Sequence, residues 1–172
     1  KHNNPFFEGI GTSGSPNNFF FIQLFGVKQI ILNQNNFEYA RYAIISYDAR
    51  YSVANSNFKD IEIGIWMWTA NAGYFGHVFR NNIFKKYLTG IVIPAGSYDK
   101  IVKNIFNPDP NSGSQNENRY GISIYNSSSL TIVDNEINRN LVGVNCKNSG
   151  ATLASLIGFE TVGNTFTKCQ YA

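Results

Sequence analysis

Apolar and polar positions recur along this chain in a six-residue block. The segments Leu32-Asn33-Gln34-Asn35-Asn36-Phe37, Val53-Ala54-Asn55-Ser56-Asn57-Phe58, Val78-Phe79-Arg80-Asn81-Asn82-Ile83, Ile101-Val102-Lys103-Asn104-Ile105-Phe106, Ile132-Val133-Asp134-Asn135-Glu136-Ile137 and Thr161-Val162-Gly163-Asn164-Thr165-Phe166 share one pattern. Each reads apolar-x-x-Asn-x-Phe/Ile, with Ser56 once replacing Asn and Thr161 once replacing the first apolar residue. A second block follows it: Ala43-Ile44, Gly64-Ile65, Gly90-Ile91, Gly121-Ile122 and Gly143-Val144. The step from Asn35 to Ala43, Ser56 to Gly64 and Asn135 to Gly143 is 8 residues, and from Asn81 to Gly90 it is 9.

Repeats of this length predict a solenoid, in which each unit buries its apolar face only against its neighbours. Positions 35, 56, 81 and 104 lie 21, 25 and 23 residues apart, and the later gaps of 31 and 29 contain insertions at Pro108–Asn118 and Asn148–Phe159. A coil of this size holds about three short strands, and coils stacked about 4.8 Å apart give each strand parallel partners above and below. Phe37, Phe58, Ile83, Phe106, Ile137 and Phe166 are predicted to form one buried column. Asn35, Ser56, Asn81, Asn104, Asn135 and Asn164 are predicted to form a ladder at a turn, where an amide can donate to one coil and accept from the next.

These blocks resemble the parallel β-helix repeats of the pectin-lyase-like superfamily, including those of periplasmic copper-maturation and carbohydrate-binding β-helix proteins. The resemblance covers about Gly26 to Ala172 and implies an all-β, right-handed parallel β-helix with an Asn ladder. It also implies an exported protein, secreted or at the cell surface. The expected organisation is one β-helix domain over 1–172, a segment of a longer protein, with 1–25 as an earlier coil whose Gly-Ile block is Gly9-Ile10. Its ends read as uncapped, to be covered by further coils or other chains.

Composition narrows the function classes. Gly 15, Phe 14 and Tyr 10 beside a single Met favour strands and tight turns over helices. A net charge of +3 with scattered Lys and Arg argues against nucleic acid as a partner. The apolar stretch Phe19–Val27 is too short for a bilayer span, and the N-terminus lacks a signal-peptide pattern. Cys146 and Cys169 have no metal-ligand spacing and read as buried thiols. No cofactor is expected, and calcium enters only if the chain is a lyase.

The resemblance makes a polysaccharide lyase or glycoside hydrolase the first enzyme to consider. The Asn-Thr-Asp, Asp-Asp and Gly-His-Gly motifs of the hydrolases are absent, and Gly76-His77-Val78 reads as a turn or partly buried imidazole. The column before the ladder is expected to read Gln34, Asn55, Arg80, Lys103, Asp134 and Gly163. It places Arg80, Lys103 and Asp134 on successive coils as weak catalytic candidates, and a solvated ionic stack suits them better than a calcium site. Asp60 and Glu62, beside Lys59, read as a solvated face.

Binding has more support. Alternation after each Gly sends Ile44, Ile65, Ile91, Ile122 and Val144 inward and the fourth residue outward. Those outward residues are Tyr47, Trp68, Pro94, Tyr125 and Lys147, with Trp66 on the same face. Tyr47, Trp66, Trp68 and Tyr125 are the glycan-binding candidates, since sugar C–H faces pack on aromatic rings. The expected function is a non-catalytic, exported β-helix scaffold that binds polysaccharide. The alternatives are a carbohydrate-active enzyme and a structural subunit of a larger assembly.

Overall fold

The computed structural model describes residues 6–8, 20–107, 119–147 and 160–171. Among them all regular structure is β except one 3-10 turn at Ala72–Tyr74. No helix among the described residues is long and apolar enough to cross a membrane. Strand pairing is parallel throughout the described coils, as the repeat predicts.

One sheet holds six strands in chain order: Ile30–Asn33, Tyr51–Ala54, Val78–Arg80, Lys100–Val102, Thr131–Val133 and Glu160–Val162. Each coil contributes one strand, so like positions stack: Leu32, Val53, Phe79, Ile101, Ile132 and Thr161 stand in register. The larger sheet has 11 strands and is built around Asn36–Tyr47, Asn57–Trp68 and Ile83–Ser97. These long strands turn a corner at Tyr39, Asp60 and Lys86, whose φ angles are 61°, 52° and 52°. A single left-handed residue reverses the bend without breaking the hydrogen bonding on either side.

The corner before the ladder uses the same device. Gln34, Asn55, Asn81, Lys103, Asp134 and Gly163 all have positive φ, between 51° and 69°. This corrects the expected register at one coil: Asn81 occupies the left-handed column, and Asn82 is the ladder residue. Arg80 therefore falls out of the column with Lys103 and Asp134, and instead ends a strand opposite Ala54 and Val102. The physical reason is that Asn tolerates left-handed backbone better than most side chains, so either of two adjacent Asn residues fits the pattern. Hydrogen bonds to the neighbouring coils select between them. With Asn82 in place, the block reads Phe79-x-x-Asn82-x-Phe84 and the step to Gly90 becomes 8 residues.

The ladder is continuous. The backbone N–H of each ladder residue donates to the side chain of the next: Asn35 to Ser56 Oγ (3.2 Å), Ser56 to Asn82 Oδ1 (3.0 Å), Asn82 to Asn104 Oδ1 (3.0 Å), Asn104 to Asn135 Oδ1 (2.9 Å) and Asn135 to Asn164 Oδ1 (2.9 Å). The amides of Asn82, Asn104 and Asn135 also reach back one coil, their Nδ2 donating to the carbonyls of Val53, Phe79 and Ile101. Backbone groups that the corner removes from the sheet are thereby satisfied inside the coils.

The aromatic column follows the same shift. Phe37, Phe58, Phe84 and Phe106 stack with centroid separations of 4.9, 4.6 and 4.7 Å, and Phe84 takes the place expected for Ile83. Ile137 continues the column and is buried, whereas Phe166 on the last described coil is 38% exposed. The glycines of the second block exist because of these rings. A Cβ on Gly64 would lie 2.6 Å from the Phe84 ring and from the Gly90 carbonyl, and one on Gly90 would lie 2.5 Å from the Phe106 ring. The two sequence landmarks are two sides of one packing contact.

The first described strands also belong to the stack. Phe7 pairs with Phe37, and Ile22 pairs with Ile44. Phe21-Ile22 therefore stands where Gly9-Ile10 was expected; Gly9 and Ile10 lie outside the described residues.

Candidate functional site

The outer face of the strands after the glycine column is aromatic. Ile65 and Met67 are fully buried, and the intervening Trp66 and following Trp68 point outward, Trp66 half-buried and Trp68 37% exposed. Register brings Phe25, Tyr47 and Trp68 into one column across three coils. Phe25 stacks flat on Tyr47, with centroids 5.1 Å apart and planes at 4°. Tyr47 in turn lies 4.9 Å from Trp66 and 6.3 Å from Trp68. Sequence reasoning missed Phe25, which is 57% exposed, because the first coil was anchored on Gly9-Ile10. The signal was the alternation through Phe20-Phe21-Ile22-Gln23-Leu24-Phe25, in which Leu24 is buried and Phe25 is not.

Two expected members stand differently. Pro94 was expected to follow Trp68, but the register shifts between Trp66 and Trp68, so that Trp66 faces Val92 and Trp68 faces Ala95. Proline has no N–H for the ladder, and a bulge accommodates it by leaving one residue unpaired. Tyr125 lies beyond that bulge and belongs to a polar group. Its hydroxyl accepts from Ser123 Oγ at 3.0 Å and from Asn145 Nδ2 at 3.3 Å, while Asn145 Nδ2 also reaches Ser123 Oγ at 3.1 Å.

Charged groups on the flanks are already engaged. Arg41 and Glu62 pair at 3.3 Å, and Asp48 Oδ1 accepts from the backbone N–H groups of Ala70 and Asn71 at 3.0 and 3.1 Å. Asp60 sits between Lys59 and Lys86 at 3.9 and 3.7 Å, the solvated ionic face expected of it.

The catalytic candidates do not converge. Arg80, Lys103 and Asp134 are each exposed, and among the described residues none of them forms an ion pair with another. His77, expected as a turn or partly buried imidazole, is fully buried. Its Nδ1 lies 2.8 Å from Asp99 Oδ1, its Nε2 donates to the Ala49 carbonyl, and its ring meets Tyr51 edge-on at 5.1 Å. Asp99 Oδ1 also accepts from the His77 backbone N–H at 2.9 Å. Tyr51 and Tyr87 are likewise buried, and burial pushes both phenols well above the usual range; Ser46 is a polar partner of Tyr51 and Asn140 of Tyr87. These groups hold the interior together and reach no substrate.

A solenoid of parallel coils with an internal Asn ladder and an outward aromatic face defines a parallel β-helix protein. The model of the family described as periplasmic copper-binding protein (NosD) matches residues 21–171, and the chain belongs to that family, one of right-handed parallel β-helices. No curated protein and no solved structure matches the chain. The family is described as periplasmic, and membership places the chain among exported proteins, as the resemblance implied.

The family's description corrects one expectation, that of no cofactor, because it names copper. The described residues do not supply a fitting donor set. No three His, Cys, Asp or Glu side chains come together among them. Both ring nitrogens of His77 are engaged, and Met67 is sealed in the core. Cys169 Sγ donates to the Ile137 carbonyl at 3.3 Å, and Cys146, expected to be buried, is exposed. Burial of part of each side chain pushes both thiols above the ordinary cysteine range, away from the thiolate that binds copper.

Proposed function

We propose that this exported β-helix is a non-catalytic scaffold that binds polysaccharide on the face carrying Phe25, Tyr47, Trp66 and Trp68. The observation that carries the reading is the outward aromatic stack: three coils present adjoining rings on a rigid sheet, with Trp68 and Phe25 open to solvent. A pyranose ring packs its C–H face on such a surface, and strands position it more firmly than loops. Arg80 stands outside the column that Lys103 and Asp134 share, and among the described residues the three form no ion pair with one another, which favours a binding role over a cleavage role.

Retention on a panel of insoluble polysaccharides tests the proposal. Wild-type protein is expected to be retained, and Trp68→Ala to weaken retention about tenfold or more, with an unfolding midpoint close to wild type. A wild-type chain that no glycan retains, or a Trp68→Ala variant whose main defect is a lowered midpoint or a dissolved protein assembly, would overturn it. The second outcome would assign the face to a protein partner.

A further inference from the structure

His77 and Asp99 are both fully buried, and the hydrogen bonds they make fix where protons lie. Nε2 of His77 faces the Ala49 carbonyl, an oxygen that can only accept, so Nε2 carries a hydrogen. Nδ1 lies 2.8 Å from Asp99 Oδ1. Neither a bare imidazole nitrogen nor a carboxylate oxygen can donate, so a second proton lies between them. The same Oδ1 accepts from the His77 backbone N–H at 2.9 Å. The pair therefore holds two protons, and its net charge is zero whether the second resides on the ring or on the carboxyl. Losing that proton would leave an uncompensated negative charge in the core. The carboxyl is poorly placed to bear it, because Asp99 Oδ2 has no hydrogen-bond partner among the described residues. Oδ2 fills the space that a Cβ on Gly96 would need, bordered by methyl groups of Ile93 and Met67.

In water an imidazole and a carboxylic acid together hold two protons only between about pH 4 and pH 6.5. We infer that His77 and Asp99 form a proton-linked clamp on the coils, which keeps its second proton in the folded chain at a pH where the unfolded chain has released it. Above about pH 6.5 the unfolded chain holds one of these protons and the folded chain two, so stability falls as pH rises. Below about pH 4 the unfolded chain holds three, so stability falls on that side as well. The clamp joins three coils, since Ala49, His77 and Asp99 each stand on a different one, and His77 closes the base of the segment 69–76. Tyr51 meets the imidazole edge-on at 5.1 Å, and burial holds its phenol far above the usual range, so it adds no charge. Phe79 packs on the ring at 6.1 Å. Arg50 and Lys100, the chain neighbours of Ala49 and Asp99, are exposed, and no Lys or Arg among the described residues is buried. The second proton is thus what balances the carboxylate.

Denaturant unfolding across this pH range, together with the 15N chemical shifts of the imidazole, tests the clamp. The folding equilibrium constant is expected to fall by up to about tenfold per pH unit between about pH 7 and pH 8. That window lies below the titration of Cys146 and Cys169, whose thiols burial pushes above the ordinary cysteine range, and below that of Tyr51 and Tyr87. Asp99→Asn supplies an acceptor for the backbone N–H and an amide donor for Nδ1, so a neutral imidazole suffices and the slope in this window should vanish. The shifts are read on folded protein carrying His2→Ala, which leaves His77 as the one histidine, and they decide the matter even if Asp99→Asn does not fold. Both ring nitrogens are expected to hold their shifts between about pH 6 and pH 8, where a free imidazole loses its proton. Stability that is flat with pH in the window, a slope that Asp99→Asn retains, or ring shifts that change as those of a free imidazole do would overturn the inference.

Discussion

Asn81 and Asn82 are chemically identical neighbours with opposite roles. Asn81 sits in left-handed backbone at φ 54°, exposed, its Nδ2 3.2 Å from Asn55 Oδ1. Asn82 is fully buried, and its amide ties three coils together through Ser56, Val53 and Asn104. Asn104 is placed the same way, accepting from Asn82 and donating to Phe79 and Asn135. Asn104→Leu is therefore expected to cost about 1–3 kcal/mol in denaturant unfolding, because it leaves buried backbone groups unpaired. Asn81→Gly, which keeps the left-handed conformation, should change stability by no more than a few tenths. Equal effects at the two positions would contradict the assigned register. His77 and Asp99 form the other decisive residue pair, fully buried and mutually bonded. Asp99→Ala leaves the buried His77 ring nitrogen and backbone N–H without their partner and is expected to destabilise by about 1–3 kcal/mol in the same assay. Oligosaccharide binding per mole of folded protein should be unchanged, since His77 faces the interior.

At the level of elements, the aromatic column and the glycine column are coupled. Gly90 has buried neighbours at 2.5 and 2.7 Å from any added Cβ, one from the Phe106 ring and one from the Gly121 backbone. Gly90→Ala is expected to lose about 1–3 kcal/mol by overpacking. Phe106→Leu removes part of the obstruction. A double-mutant cycle should show a favourable coupling between the two substitutions, while strictly additive losses would mean that the ring and the glycine do not share the contact. The same strands carry function on their other side. Packing Ile65 and Met67 inward fixes Trp66 and Trp68 outward, so the rigidity of the interior is what presents the rings. The Pro94 bulge interrupts that presentation at one coil, separating the aromatic group from the Ser123–Tyr125–Asn145 group.

Across the whole molecule, the repeated block was sufficient to specify a parallel solenoid, because each coil makes the same contacts with the next and periodicity in sequence becomes periodicity along the axis. Leu32, Val53, Ile101 and Ile132 in one column, the Ile44-to-Val144 series in another, and the outward Tyr47, Trp66 and Trp68 were legible from the alternation of apolar and polar residues alone. Copper was not: the family description names it, and no grouping of donors in the sequence or among the described residues points to it. Only the tertiary structure decided the choice of Asn82 over Asn81, the meeting of His77 with Asp99, the stacking of Phe25 on Tyr47, and the exclusion of Arg80 from the column of Lys103 and Asp134. Each of these depends on register between coils more than 20 residues apart, as in the Asn35–Ser56 and His77–Asp99 bonds. Local pattern sets which way a side chain points, whereas inter-coil hydrogen bonds and the volume of neighbouring rings set which residues stand face to face.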